Sequence, residues 1–145
     1  MKKFNFKLEN VLTLRKQEEE RVIRDMAPYT GKLNAITLQL AKLEQTLVDY
    51  SKERISLLTE PGLQGVYTNM VRTSRDLVAN AKIEREKADK ELEKWRTKLL
   101  EAMTKRKAME ILKEKHYKKF LKEVQKKEEL LVADALAHSK FEMLL

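Results

Sequence analysis

The stretch TEPGLQGV, residues 59–66, decides how the rest of the chain is read. Two of the three glycines and one of the two prolines in 145 residues fall within these eight positions. Proline has no N–H to give to a preceding turn, and glycine tolerates positive φ, so Glu60-Pro61-Gly62 predicts a helix stop and Gly65 a second turn residue. Elsewhere almost nothing punctuates the chain. About half of it is Ala, Glu, Lys, Leu and Arg, the profile of long helices or coiled coils, and so few Gly and Pro cannot turn a β-rich or α/β fold. The expected fold is all-α. A first helix over about 6–58 and a longer second helix over about 67–137 flank a loop over about 59–66. That loop is short enough to force an antiparallel coiled-coil hairpin, a single domain over 1–145.

Upstream of the loop the apolar stripe is Met26, Tyr29, Leu33, Ile36, Leu40, Leu43, Leu47 and Tyr50. Its steps alternate three and four, the pattern of a coiled-coil seam. Continued backward in phase it meets Val22, polar Glu19 and Arg15, then Leu12 and Leu8; forward it meets Arg54 and Leu57. Pro28 lies inside the stripe without resetting its phase, which predicts a kink or short distortion near residues 28–31 and not a separate domain.

Downstream, the stripe starts at Met70, Leu77 and Ala81 and becomes regular at Ala88, Leu92, Trp95, Leu99 and Ala102. Arg106 interrupts it, and it resumes as Met109, Leu112, Tyr117, Leu121 and Val124, which reads as a phase slip. If residue 59 faces residue 66, antiparallel pairing sets Tyr50 near Arg75, Ile36 near Asp89, Val22 near Met103, and Phe4 close to Phe120 and Leu121. The second helix then continues alone for about 15 to 20 residues, or ~25 Å. That lone segment carries Leu130, Leu131, Val132, Leu136 and Phe141, which reads either as a docking surface or as a frayed tail.

Composition limits the chemistry. The chain has no Cys, so no disulfide scaffold or thiolate metal site, a usage that fits a reducing compartment. Lys2 and Lys3 open no signal peptide, because Asn5, Lys7, Glu9 and Asn10 break any apolar core, and no stretch approaches a membrane span. Gly31, Gly62 and Gly65 fit no phosphate loop. His116 and His138 stand too far apart on one straight helix to share a metal. His116 borders the seam and Trp95 lies on the stripe, both readable as packing residues. The residues therefore predict a non-enzyme, with no catalytic, metal or cofactor-binding residue. Net charge is +8, and it is densest over Lys105–Lys127, with 10 basic against 3 acidic residues. Such a face holds a polyanion or an acidic protein, or is simply a solvated helix surface.

One feature resists this plain reading: two of the four Phe fall within the first six residues, at an end that normally frays. The opening FNFKLENVLTLR, with Phe4, Phe6, Leu8, Val11, Leu12, Leu14 and Arg15, resembles the opening signature of the flagellar export protein FliJ family. GVYTNMVRTSRDLVANAK after the loop, the RKAMEILKEK block and the closing EELLVADALAHSKF extend the resemblance over nearly the whole chain. The resemblance implies a cytoplasmic component of the flagellar type III export apparatus, peripheral to the inner face of the membrane and built like the central stalk of rotary ATPases. Its implied partners are the hexameric export ATPase, whose ring takes up the two chain ends, the membrane export gate protein FlhA, and the export chaperones. Carried onto this chain, the ATPase-docking end comprises Phe4, Phe6, Phe120 and Leu121, with Phe4 packing on the second helix and Phe6 facing a partner. The gate-contacting face comprises Met70, Ser74, Leu77 and Ala81. Ser74 stands where family members tend to be apolar, and Leu77 and Ala81 read equally as seam.

The expected assembly is a monomeric rod roughly 100 Å long, from ~70 helical residues at 1.5 Å each. Two other readings stand beside it. One is the equivalent stalk of a virulence type III injectisome. The other is a basic nucleic-acid-binding coiled coil, against which the lysines are interleaved with seam residues and arginine-rich base-reading clusters are missing.

Overall fold

The computed structural model describes residues 2–145. It contains helix α1, Glu9–Ser56, and helix α2, Pro61–Leu144, and no strand among the described residues. The all-α hairpin with the longer second helix is as the sequence predicts.

The helix boundaries differ from those expected, and for one physical reason at the connection. Pro61 starts α2 instead of stopping α1. The Glu60 carbonyl accepts the Gln64 N–H at 2.9 Å, which makes Glu60 the N-cap and Pro61 the first helical residue. A missing N–H is harmless there, because the first donors of a helix have no intrahelical acceptor. Gly62 and Gly65 lie inside α2, and neither has a positive φ. The loop expected over 59–66 thus contracts to 57–60, tied by the Leu57 N–H to the Glu53 carbonyl (3.2 Å) and the Glu60 N–H to the Leu57 carbonyl (3.0 Å). At the other ends, α1 begins at Glu9 and not near Phe6, and α2 runs on to Leu144. Pro28 lies within α1 without ending it. Its ring removes the donor for the Arg24 carbonyl.

Contacts gather the chain into two compact units: Glu20–Leu100, and the part up to Glu19 together with Glu101–Leu145. Within Glu20–Leu100, the α1 stripe from Met26 to Tyr50 is buried or half-buried throughout, as its spacing predicts. Leu40 forms the centre of a cluster with Val78 and Ala81, joined by Leu43 and Leu47. On α2 the seam starts one residue away from the expected one. Val71, Ser74, Val78 and Ala81 are buried, followed by Ala88 and Leu92, whereas Leu77 is 48% exposed. The strict three-four alternation that fits Ala88, Leu92 and Trp95 leads backward to these positions, and their small side chains let the helix backbones approach. Tyr29 lies 5.5 Å from Trp95, centroid to centroid, and the Lys98 ammonium sits 4.3 Å from the Trp95 ring centre. Tyr50 meets the Tyr67 ring at 6.3 Å and also shares a groove with Thr73 and Ser74, next to the expected Arg75.

In the other unit, Leu12 and Ala102 are buried at 2% and 7% exposure. The phase continues through Arg106 without the expected slip. Ala102, Arg106, Met109 and Lys113 are buried or half-buried along the seam at alternating steps of four and three, Leu112 beside them is half-buried as expected, and Phe120 and Val124 are half-buried further on. Tyr117 and Leu121, expected on that seam, are exposed at 45% and 47%. Arg106 keeps its seam position by pairing with Glu19, a polar residue of the α1 stripe, and with Glu110 at 2.7 Å. From residue 125 onward every residue of α2 is exposed.

Candidate interaction sites

Residues 2–8 are not helical, and that changes what the two opening Phe do. A turn closed by the Glu9 N–H on the Phe6 carbonyl (3.1 Å) leads into α1, and the Leu12 N–H bonds the Leu8 carbonyl at 3.0 Å. The segment before it lies along α2. Phe4 packs edge-on against Tyr117 at 5.2 Å and tilted against Phe120 at 5.5 Å. Phe6 meets the edge of His116 at 5.5 Å and retains only 5% exposure. The contact of Phe4 with Phe120 is the one the pairing ruler predicts. The partner-facing role expected of Phe6 is corrected: it is the more deeply buried of the two. The expectation rested on helical geometry, in which residues two apart diverge, and the segment is not a helix.

The result is an aromatic clasp of Phe4, Phe6, His116, Tyr117 and Phe120, pinned further by Lys113 pairing with Glu9 at 2.9 Å. Aromatic pairs of this geometry contribute roughly 0.5–1.5 kcal/mol each beyond burial. Phe4 separates two open grooves. One is lined by Leu12, Lys16, Glu110, Lys113, Glu114 and Tyr117 and carries both signs of charge. The other is lined by Lys2, Lys3, Lys7, His116, Lys119 and Glu123 and is dominated by cations. Leu121 is not among the lining residues of either groove. His116 was legible as a seam neighbour. Its partnership with Phe6 was not, because nothing in the sequence marks residues 2–8 as leaving the helix.

The second candidate face lies in the unit Glu20–Leu100. Met70, Ser74 and Leu77 line one mainly apolar groove with Tyr50, Val66 and Thr73. Ala81 is buried at 8% against Leu40 and takes no part in it. Ser74 is 5% exposed and forms the groove floor, while Leu77 stands at its edge. Three of the four residues singled out from the sequence therefore come together, and the fourth belongs to the core. Tyr50, read as seam alone, supplies part of the α1 side of the groove.

Arg106 is held in its charged form. Hydrogen bonds to Glu110 and then Glu19 raise its pKa above the ordinary arginine value, against a smaller opposing effect of burial. Among the described residues no three His, Cys, Asp or Glu side chains are grouped so as to hold a metal ion, and no helix is long and apolar enough to cross a membrane.

Comparison with curated proteins and with solved structures gave no match. The sequence profile of the family described as Flagellar FliJ protein matches residues 4–141. That match takes in the aromatic clasp, the grooves beside it, the apolar groove at Met70 and α2 as far as Phe141, and the chain belongs to the flagellar FliJ protein family.

Proposed function

We propose that this chain, a component of the flagellar protein export apparatus by its family, acts as a stalk-like coiled coil that binds the hexameric export ATPase. It promotes the assembly and activity of that ring, and it links the ring to the membrane export gate protein FlhA. It also takes part in handling export chaperones. It works on the cytoplasmic side, peripheral to the membrane, and does no chemistry of its own. Binding free energy that differs between ring states biases the ring.

The observation that carries this reading is the aromatic clasp with its two grooves. Phe4 is half-buried, wedged between α2 side chains yet shared by both grooves, so a partner reaches it without unfolding anything. Phe6 anchors the segment from beneath. The basic groove around Lys2, Lys3 and Lys119 complements an acidic rim, and charge of this kind raises association rates more than affinity. The apolar groove at Met70, Ser74 and Leu77 supports the contact with the gate protein, and its polar edges at Asn69 and Thr73 suit a peptide segment.

The test is hydrolysis by the cognate export ATPase with the intact protein, with a version lacking residues 2–7, and with Phe4→Ala. Stimulation by the intact protein that falls with both changes supports docking at the clasp. A folded intact protein that leaves the rate unchanged removes the stalk mechanism.

A further inference from the structure

The side of α1 turned away from α2 carries a second strip at seam spacing, which the hairpin leaves open. Leu38, Ala41, Gln45, Val48, Lys52 and Ile55 follow one another at steps of three, four, three, four and three. They share one face of α1, and the buried stripe of Leu33, Leu40 and Leu47 lies on the other side of the same turns. All six are exposed, Leu38 at 60%, Val48 at 43% and Ile55 at 61%. The alternation is that of a coiled-coil seam, over ~26 Å of helix.

The strip complements itself. Laid antiparallel on a copy of α1, Leu38 meets Ile55, Ala41 meets Lys52, and Gln45 meets Val48. Each contact then occurs twice, as a two-fold axis requires. Ile55 stands in the last turn of α1, which ends at Ser56, so the strip ends where the helical overlap ends. Lys52 lies opposite the small Ala41, where its stem packs and its ammonium stays in water. The edges also match. Lys42 and Asp49 flank the strip on one edge, Glu44 and Ser51 on the other. Antiparallel helices bring like edges together, so Lys42 of each copy faces Asp49 of the other, and Glu44 faces Ser51. A parallel pair would set Glu44 against Asp49 twice, and edge charges of this kind decide orientation. Among the described residues, Lys42 takes part in no ion pair. Asp49 accepts a hydrogen bond from Gln45 Nε2 at 3.0 Å, which holds it beside the strip.

We propose that the face Leu38–Ile55 is a self-association surface, and that two copies of this chain pair through it as an antiparallel α1–α1 dimer. One strip of this length lies at the small end of specific interfaces, so the dimer is weak and reversible. The expected monomeric rod is its dilute state. A foreign helix would need the apolar side chains alone. The double match of Leu38 with Ile55 and of Lys42 with Asp49 serves a copy of the same helix.

The experiment is sedimentation equilibrium of the full chain over a dilution series, with variants that reverse the edge charges. The expected mass rises from one chain to two as concentration increases. Lys42→Asp turns two attractive contacts into two repulsive ones and should raise the dissociation constant about tenfold. Lys42→Asp combined with Asp49→Lys should restore pairing. Orientation is read by disulfide linking, since the chain has no cysteine of its own. Leu38→Cys combined with Ile55→Cys should give covalent dimers on mild oxidation, while neither single change should. Within one chain these positions are ~26 Å apart, too far to bridge. Circular dichroism verifies unchanged helicity in each variant. The proposal is overturned by a single-chain mass at every concentration, by indifference to Lys42→Asp, or by a double reversal that fails to restore the dimer. Linking through Leu38→Cys alone would show parallel pairing and overturns it as well. No ATPase enters this test, so its failure leaves the stalk reading standing.

Discussion

Arg106 of α2 donates to Glu19 of α1, and each is a charged residue that interrupts the apolar stripe of its own helix. The two interruptions coincide in space and satisfy one another, with Glu110 accepting a second hydrogen bond from Arg106 Nη1 at 2.7 Å. Side-chain exposure is 21% for Arg106 and 15% for Glu19, so the pair sits in the seam and not on its rim. Removing one partner leaves a charge in a half-buried slot, whereas replacing both removes the need for compensation. Glu19→Leu and Arg106→Leu should each lower the thermal midpoint, and the double change should recover most of the loss. Midpoints from circular dichroism measure this, and simple additivity of the two losses would show the residues to be uncoupled. The raised pKa of Arg106 means its charge contributes stability below the ordinary arginine value, lost only as pH rises through the still higher folded value. This group therefore adds no slope to stability between about pH 5 and 9, where it stays protonated in both states.

Leu92 and Leu77 test the seam phase. Leu92 is 2% exposed and Leu77 48%. Leu92→Ala should cost about 2–5 kcal/mol in denaturant unfolding. Leu77→Ala should stay within about 0.5 kcal/mol, as surface changes do. The reverse order would restore the seam through Met70 and Leu77.

Phe6→Ala should loosen the opening segment more than Phe4→Ala, because Phe6 is buried and Phe4 half-buried. A buried Phe truncation costs about 3–5 kcal/mol where the site stays closed. Here the free energy of releasing the segment caps the loss, since residues 2–8 can detach while the helices persist. Amide exchange at Glu9 and Leu12 should speed up in Phe6→Ala with the global midpoint little changed. Equal protection of both amides in the two variants and in the parent would deny the clasp its role.

Pro28 offers a stabilising change. It sits inside α1, where proline is about 3 kcal/mol less favourable than alanine. Pro28→Ala supplies an N–H within the helix and should raise stability by up to that amount. An unchanged midpoint would mean that the lost hydrogen bond carries no net weight at this position.

How much of this was legible depended on which signal ruled each segment. The α1 stripe read correctly over its whole buried length because its residues are both large and in strict phase. On α2 the two signals diverged. Met70 and Leu77 are larger than Val71 and Ser74, so hydrophobicity pointed one residue away from the true seam, and phase was the better guide. Arg106 looked like a slip because it is charged, and only its partner across the seam makes it regular. Pro61-Gly62 looked like a stop because proline ends helices more visibly than it starts them. The pairing of Phe4 with Phe120 survived all this, since a ruler based on register needs no knowledge of side-chain direction. For Phe6 that knowledge was needed, and the assumed helix supplied the wrong one.

The four residues 57–60 also set an order of events. Contacts such as Tyr50 with Tyr67 close a short loop, whereas Phe4 with Phe120 spans most of the chain. Loop-closure entropy grows with the length enclosed, and contacts local in sequence form fastest. The hairpin therefore zips from its connection outward and the aromatic clasp forms last. By microscopic reversibility it also opens first. The clasp is thus expected to open ahead of the contacts near the connection, and faster amide exchange at Leu12 than at Leu40 would show it.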